Sequence, residues 1–114
     1  MTAPLPDHLG IRDRAQRFGL RIQNSVLHVE GVDLRTIARE VGTPVYVYGS
    51  AHLTQRYESL THALAERPTL ICYAVKANSN IAVLNVFARL GAEFDIVSLG
   101  ELKRVLAAGA DPKK

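Results

Sequence analysis

The sequence predicts an α/β fold in which strands alternate with helices. Two apolar runs, 70–75 and 94–97, have the composition of buried strands, and each is followed by a segment with helical periodicity. The connections are short, and strands that alternate with helices in this way favour a parallel sheet. A β-branched run at 26–29 precedes the alternation and predicts one further strand.

Composition limits the class of protein. With 114 residues, 47% of them hydrophobic, the chain can form one modest core. Its 14 Lys and Arg residues and 11 Asp and Glu residues are scattered, so no basic patch favours nucleic-acid binding. A single cysteine excludes an internal disulfide and fits a reducing compartment. No apolar run has the length of a membrane span, so we expect a cytoplasmic protein that does not bind a membrane. The histidines lack the spacing of metal ligands, so we expect no metal site.

The first third of the chain combines a polar arm with a strand and a short helix. Residues 1–24 are polar and contain Pro4 and Pro6, which predicts a loose or partner-dependent arm. After the strand at 26–29, Asp33 is placed to cap a helix with a buried apolar stripe. The stripe consists of Leu34, Ile37, Ala38 and Val41, and it is followed by Gly42 and Pro44.

The middle of the chain predicts another strand and a longer helix. Residues 45–48 read Val-Tyr-Val-Tyr, a composition typical of strands. Ser50 is placed to cap the helix, and Pro68 would stop it. The apolar face of this helix consists of Leu53, Tyr57, Leu60 and Leu64.

The last third predicts two more helices with local caps. Ser79 or Asn80 can cap a helix over 81–90, which Gly91 ends. After the strand 94–97, Ser98 and Glu101 form the pattern Ser-x-x-Glu before a further apolar stripe. This pattern is a capping box, which explains both residues without catalysis.

Lys76 stands at the end of the apolar run 70–75, directly before a polar turn. A lysine at such a place loses water, which disfavours its ammonium form and favours a nucleophilic amine. The alternative is a lysine that only extends into solvent. Alternation along the strand puts Lys76 on the face of Ala74 and Cys72, with Tyr73 toward the helices. Cys72 is then expected to be a small core residue.

Two segments at a fixed separation resemble a known family. Residues 73–80 read YAVKANSN, and residues 94–102 read FDIVSLGEL. Together they resemble the fold-type III pyridoxal-phosphate decarboxylases, most closely the diaminopimelate branch, and the resemblance runs from about Leu27 to the last residue. Leu99 departs from the glycine that many members have.

The resemblance implies a fold and a domain organisation. Residues 50–114 would be the first strand–helix units of a (β/α)8 TIM barrel that binds pyridoxal phosphate. Residues 25–49 would belong to a β-rich second domain and the entry to the barrel, after the arm 1–24. Such a barrel needs about 250 residues, so the resemblance implies a truncated barrel, a fragment expected to be inactive alone.

The resemblance also implies site residues. Lys76 would hold pyridoxal 5'-phosphate covalently at the carboxyl end of its strand, where active sites of such barrels lie. Asp95 would pair with Lys76 and favour its charged form; its alternative is a strand-entry aspartate bonded to backbone amides. Ala74, Ser98 and Glu101 would line the cofactor pocket.

The implied activity is the decarboxylation of meso-2,6-diaminopimelate to L-lysine, by a homodimer. One alternative is a related decarboxylase of ornithine, arginine or carboxynorspermidine, although Ala77 and the Ser79-Asn80 pair disfavour it. A second alternative is a non-catalytic barrel that binds pyridoxal phosphate, and a third is an isolated fragment without function.

Overall fold

A computed structural model describes residue 10 and residues 15–114. They belong to two compact units, one that ends at His52 and one that comprises Leu53–Lys114, and the two are described separately. Most of the predicted arm, with Pro4 and Pro6, lies outside the described residues. No helix of the described part is long and apolar enough to cross a membrane.

The first unit contains a three-stranded antiparallel sheet in the order β1 (Leu20–Gln23), β2 (Val26–Val29) and β3 (Val32–Asp33). β2 confirms the strand predicted at 26–29. β1 was missed because only alternate residues of it are half-buried and the others are exposed. Asn24 and Ser25 join β1 to β2 with φ of 49° and 63°, as expected for a two-residue hairpin turn.

Helix α1 (Leu34–Val41) begins as predicted, since the Asp33 carboxylate accepts a hydrogen bond from the Arg35 amide at 2.7 Å. Its apolar stripe is less buried than predicted: no residue of α1 is fully buried, and Val41 is 68% exposed. Leu34, Ile37 and Ala38 are half-buried, and the helix packs on β2 and β3 of the same unit.

The strand predicted at 45–48 is wrong. These residues have no regular structure, and Tyr46 is 89% exposed. A strand exists only where its backbone groups pair with a neighbour, and the described residues supply none here.

Helix α2 (Ser50–Ala63) follows, and its predicted cap is also wrong. Ser50 is the first helical residue, and the carboxylate of Glu30, in the β2–β3 turn, satisfies the start of the helix. One Glu30 oxygen accepts from the Ala51 amide at 2.6 Å, and the other accepts from the Ser50 hydroxyl at 3.0 Å. The helix ends before Pro68, and Leu60 on its predicted apolar face is 48% exposed.

The second unit is a parallel two-stranded sheet with helices against one face. β4 (Cys72–Ala74) pairs with β5 (Glu93–Asp95), and α3 (Ile81–Arg89) and α4 (Leu99–Ala107) follow the two strands. The parallel pairing confirms the predicted alternation, although both strands are shorter than predicted. Two clusters form the core beneath the sheet. One contains Val75, Leu84, Val105 and Ala108, and the other contains Val83, Phe87 and Ala92.

The opposite face of β4 is open. Cys72 is exposed and Leu70 is 65% exposed, so the prediction of a strand buried on both faces, with Cys72 in the core, is wrong. Helices of the second unit cover the Tyr73 side alone, which the predicted alternation placed toward the helices. The structure therefore confirms the orientation of the strand but leaves its Cys72 face to solvent.

Candidate functional site

The candidate site lies where β4 and β5 end. β4 passes directly into one turn of 3₁₀ helix, Val75–Ala77, and Lys76 is its central residue. The polar turn that follows ends at Asn80, whose side chain caps α3 by accepting from the Ala82 amide at 2.9 Å. Parallel strands bring their carboxyl ends to the same edge of a sheet, so Lys76 lies beside the end of β5.

The register of the sheet places Asp95 next to Ala74. The two residues are paired across β4 and β5, and neighbouring strands lie about 4.8 Å apart. Paired residues share a face of the sheet, so Asp95 lies on the open face with Ala74. Asp95 is the last residue of β5 and not near the start of the strand, as the sequence predicted. No hydrogen bond to a backbone amide holds its carboxylate among the described residues.

The amine of Lys76 is accessible. Lys76 is exposed, so the predicted loss of water at this position is wrong for the described chain, because its open face carries no covering layer. Within residues 15–114, Lys76 and Asp95 form no ion pair, whereas Arg35 and Asp33 do, at 2.9 Å. The pairing of Lys76 and Asp95 stays a prediction.

The backbone around Lys76 is fixed on both sides. Val75 is completely buried in the core beneath the sheet. On the other side, the carbonyl of Asn78 accepts a hydrogen bond from the Tyr73 hydroxyl at 3.2 Å, and the Asn78 side chain accepts from the Asn80 amide at 3.0 Å. The turn thus presents an exposed lysine on an anchored backbone.

Ser98 and Glu101 are engaged in capping α4. The Ser98 hydroxyl accepts from the Glu101 amide at 3.2 Å, and the Glu101 carboxylate accepts from the Val97 amide at 2.9 Å. This confirms the capping box, with the returning bond made one residue earlier than in the usual pattern. A role of these two side chains at a cofactor pocket stays a prediction.

The residues present fit pyridoxal phosphate chemically. Pyridoxal phosphate attaches to a primary amine, and Lys76 offers an accessible one at the edge of the sheet where Asp95 ends β5. Ala74, two residues before Lys76 at the end of β4, adds little bulk. Sequence reasoning missed Tyr73 and Asn78 as supports of this lysine, and no signal in the sequence shows that the tyrosine hydroxyl reaches a backbone carbonyl.

Comparison with known families gives a match to one domain. A family model described as "pyridoxal-dependent decarboxylase, pyridoxal binding domain" matches residues 50–114, which include every predicted site residue. The matched range covers more than half of the chain.

Curated relatives and solved structures agree with that match. The chain is 60% identical over 92 residues to diaminopimelate decarboxylase from Pseudomonas aeruginosa and 53% identical over 92 residues to that from Vibrio cholerae. A crystal structure from Aquifex aeolicus is similar with a TM-score of 0.75 at 42% identity over 82% of this chain and 23% of that one. Diaminopimelate decarboxylase from M. jannaschii in complex with L-lysine has a TM-score of 0.73 at 30% identity, over 80% of this chain and 22% of that one.

The likeness confirms the predicted fold class, with the first strand–helix units of a fold-type III barrel. Coverage is unequal: each of the two curated matches spans 81% of this chain but 22% of the relative.

Proposed function

Because the chain belongs to the pyridoxal-dependent decarboxylase family, we propose that it supplies the cofactor-attaching part of a diaminopimelate decarboxylase. The observation that carries the proposal is the position of Lys76, exposed on an anchored turn at the carboxyl end of β4 and beside Asp95. The relatives that share this region at 49–60% identity all carry the same enzyme name, and this supports the choice of substrate.

The proposed reaction converts meso-2,6-diaminopimelate into L-lysine and carbon dioxide. One bond from an α-carbon to its carboxylate breaks, carbon dioxide leaves, and that carbon takes up a proton. Pyridoxal phosphate supplies, when bound, the electron sink that accepts the electron pair left behind.

The chain's own residues have distinct parts in this proposal. Lys76 would hold pyridoxal phosphate through Nζ and would be a free amine whenever it is not attached to the cofactor. Asp95 stabilises the proton on that released amine, since a nearby carboxylate favours the charged form. Ala74 leaves space on the open face, and Ser98 and Glu101 fix the start of α4 at its edge.

A direct test is covalent trapping on the whole protein. We expect incubation with pyridoxal phosphate followed by borohydride reduction to add one cofactor mass, mapped by peptide sequencing to Lys76. Lys76→Arg should abolish the adduct because a guanidinium does not replace the amine. Lys103→Arg, at an exposed position on α4, is the matched control and should leave the adduct intact.

An adduct on Lys103 or on several surface lysines, with none on Lys76, would contradict the proposal. Turnover by the whole protein of ornithine or arginine in place of diaminopimelate would assign it to a related decarboxylase. A homodimer and a cytoplasmic location are parts of the same proposal; sedimentation of the whole protein at the mass of one subunit would exclude the dimer.

A further inference from the structure

Tyr73 holds the Lys76 turn from the helix side of the sheet. Its hydroxyl donates to the Asn78 carbonyl at 3.2 Å, two residues after the lysine. Its ring stacks on Phe87 with centroids 4.3 Å apart and meets Phe94 edge-on at 6.4 Å. The hydroxyl therefore ties the end of the turn to an aromatic cluster in the core.

The same turn is held at its beginning by Val75, which is fully buried against Leu84 and Val105. Lys76 thus has an anchored residue on each side, while its own side chain is exposed. The position of a group attached at Nζ depends on the position of this backbone. A displacement of about 1 Å between reacting groups can lower the rate of a reaction strongly.

We propose that Tyr73 is a positioning residue for Lys76, and that its hydroxyl fixes the orientation of whatever the lysine holds. The inference rests on the proposed function, because it takes pyridoxal phosphate as the group attached to Lys76. It assigns a part in cofactor placement to a residue whose ring packs against the core of the second unit.

Tyr73→Phe isolates the hydroxyl, since it keeps the ring that packs on Phe87. Tyr57→Phe is the matched control: Tyr57 meets Phe87 edge-on at 6.1 Å, so it removes a hydroxyl from the same cluster without touching the turn. Both variants are made in the whole protein, loaded with pyridoxal phosphate and compared with the unaltered sequence.

We expect Tyr73→Phe to raise the dissociation constant of the cofactor by about 2- to 10-fold, the factor set by one net hydrogen bond. The induced circular dichroism of the bound cofactor should also fall, because that signal reports a fixed orientation. Tyr57→Phe should change neither quantity. A dissociation constant and a dichroic signal unaltered by Tyr73→Phe would overturn the inference.

Amide hydrogen exchange of residues 75–80 in the cofactor-free protein separates this inference from the proposed function. Faster exchange in Tyr73→Phe supports the anchoring even where the unaltered protein forms no adduct on Lys76, a result that would defeat the proposed function alone. Unchanged exchange overturns the anchoring. If Tyr73→Phe does not fold, fluorotyrosine can replace Tyr73 instead. Its hydroxyl is a stronger hydrogen-bond donor, so amide exchange of residues 75–80 should become slower, and unchanged exchange would also overturn the inference.

Discussion

At the scale of single residues, Asp33 combines a helix cap with an ion pair. Its carboxylate accepts from the Arg35 amide and also from the Arg35 guanidinium, at 2.9 Å for the shorter contact. The pKa of Asp33 is lowered from 3.8 to about 2. The main cause is the hydrogen bond from the Arg35 side chain, and the positive charge of Arg35 is a smaller cause. The ionised carboxylate is therefore favoured in the folded state.

This lowered pKa predicts a pH-dependent stability difference. The contribution is present above the unfolded pKa, near 3.8, and is lost as pH falls through about 2. In urea denaturation, Arg35→Gln should therefore lower the free energy of unfolding at pH 5 and approach the unaltered protein near pH 2. The loss should be small, because exposed pairs contribute little.

Arg39→Gln is the matched control for this prediction. Arg39 lies on the same helix but donates to the neutral hydroxyl of Thr36 at 3.2 Å, so its effect should not vary over this pH range. A constant difference between Arg35→Gln and the unaltered sequence from pH 5 to pH 2 would contradict the titration of Asp33.

Residue contacts that span few positions were the most predictable from sequence. Asp33, Asn80 and Ser98 were predicted as candidate caps, and each accepts from a backbone amide two or three residues away. The hydrogen bonds of Glu30 were missed because its partners lie 20 and 21 residues further along the chain. The hydrogen bond of the Tyr73 hydroxyl was missed because it depends on how the tyrosine ring packs.

At the scale of elements, residues 45–48 and the face of β4 show where sequence reasoning fails. β-Branched and aromatic residues favour a strand, but a strand forms only where a neighbouring strand pairs with its backbone. The parallel pair β4–β5 was predictable because both strands and their helices lie within one short stretch. Because these strands are close in sequence, Lys76 and Asp95 were correctly expected at the ends of neighbouring strands. The exposure of Lys76 did not match the predicted loss of water.

Helix α2 has a cap that can be tested as an element. Gly49 leaves room for the Glu30 carboxylate, since a Cβ there would lie 2.6 Å from one Glu30 oxygen. We expect Glu30→Ala to cost about 0.5–2 kcal/mol in the free energy of unfolding, as loss of a helix cap does. Gly49→Ala should cost a similar amount by displacing the same carboxylate.

The two changes should not add in the double variant, because they remove one interaction. Glu58→Ala, at an exposed position on the same helix, should have little effect and serves as the control. If the double variant loses as much free energy of unfolding as Glu30→Ala and Gly49→Ala together, Gly49 acts independently of the cap.

At the scale of the whole molecule, large apolar side chains are exposed at several places among the described residues. They include Tyr46 at 89% and Leu70, Val97 and Leu99 at 65–67%. Lys76 is exposed in the turn after β4 and Asp95 is exposed at the end of β5, so on the proposed function the described residues would supply the attachment point of pyridoxal phosphate and little that encloses it.

This incomplete enclosure predicts weak uptake of the cofactor by a chain of these 114 residues. We expect borohydride trapping on Lys76 to reach half-saturation at a pyridoxal phosphate concentration at least about tenfold higher than in the full-length Pseudomonas aeruginosa relative. The reason is that attachment in water lacks charged hydrogen bonds, each of which contributes about 1.5–3 kcal/mol in an enclosed site. Lys76→Arg in the 114-residue chain measures the labelling of surface lysines, which is subtracted. Equal half-saturation in the two proteins would mean that residues 15–114 already contain most of the contacts that hold the cofactor.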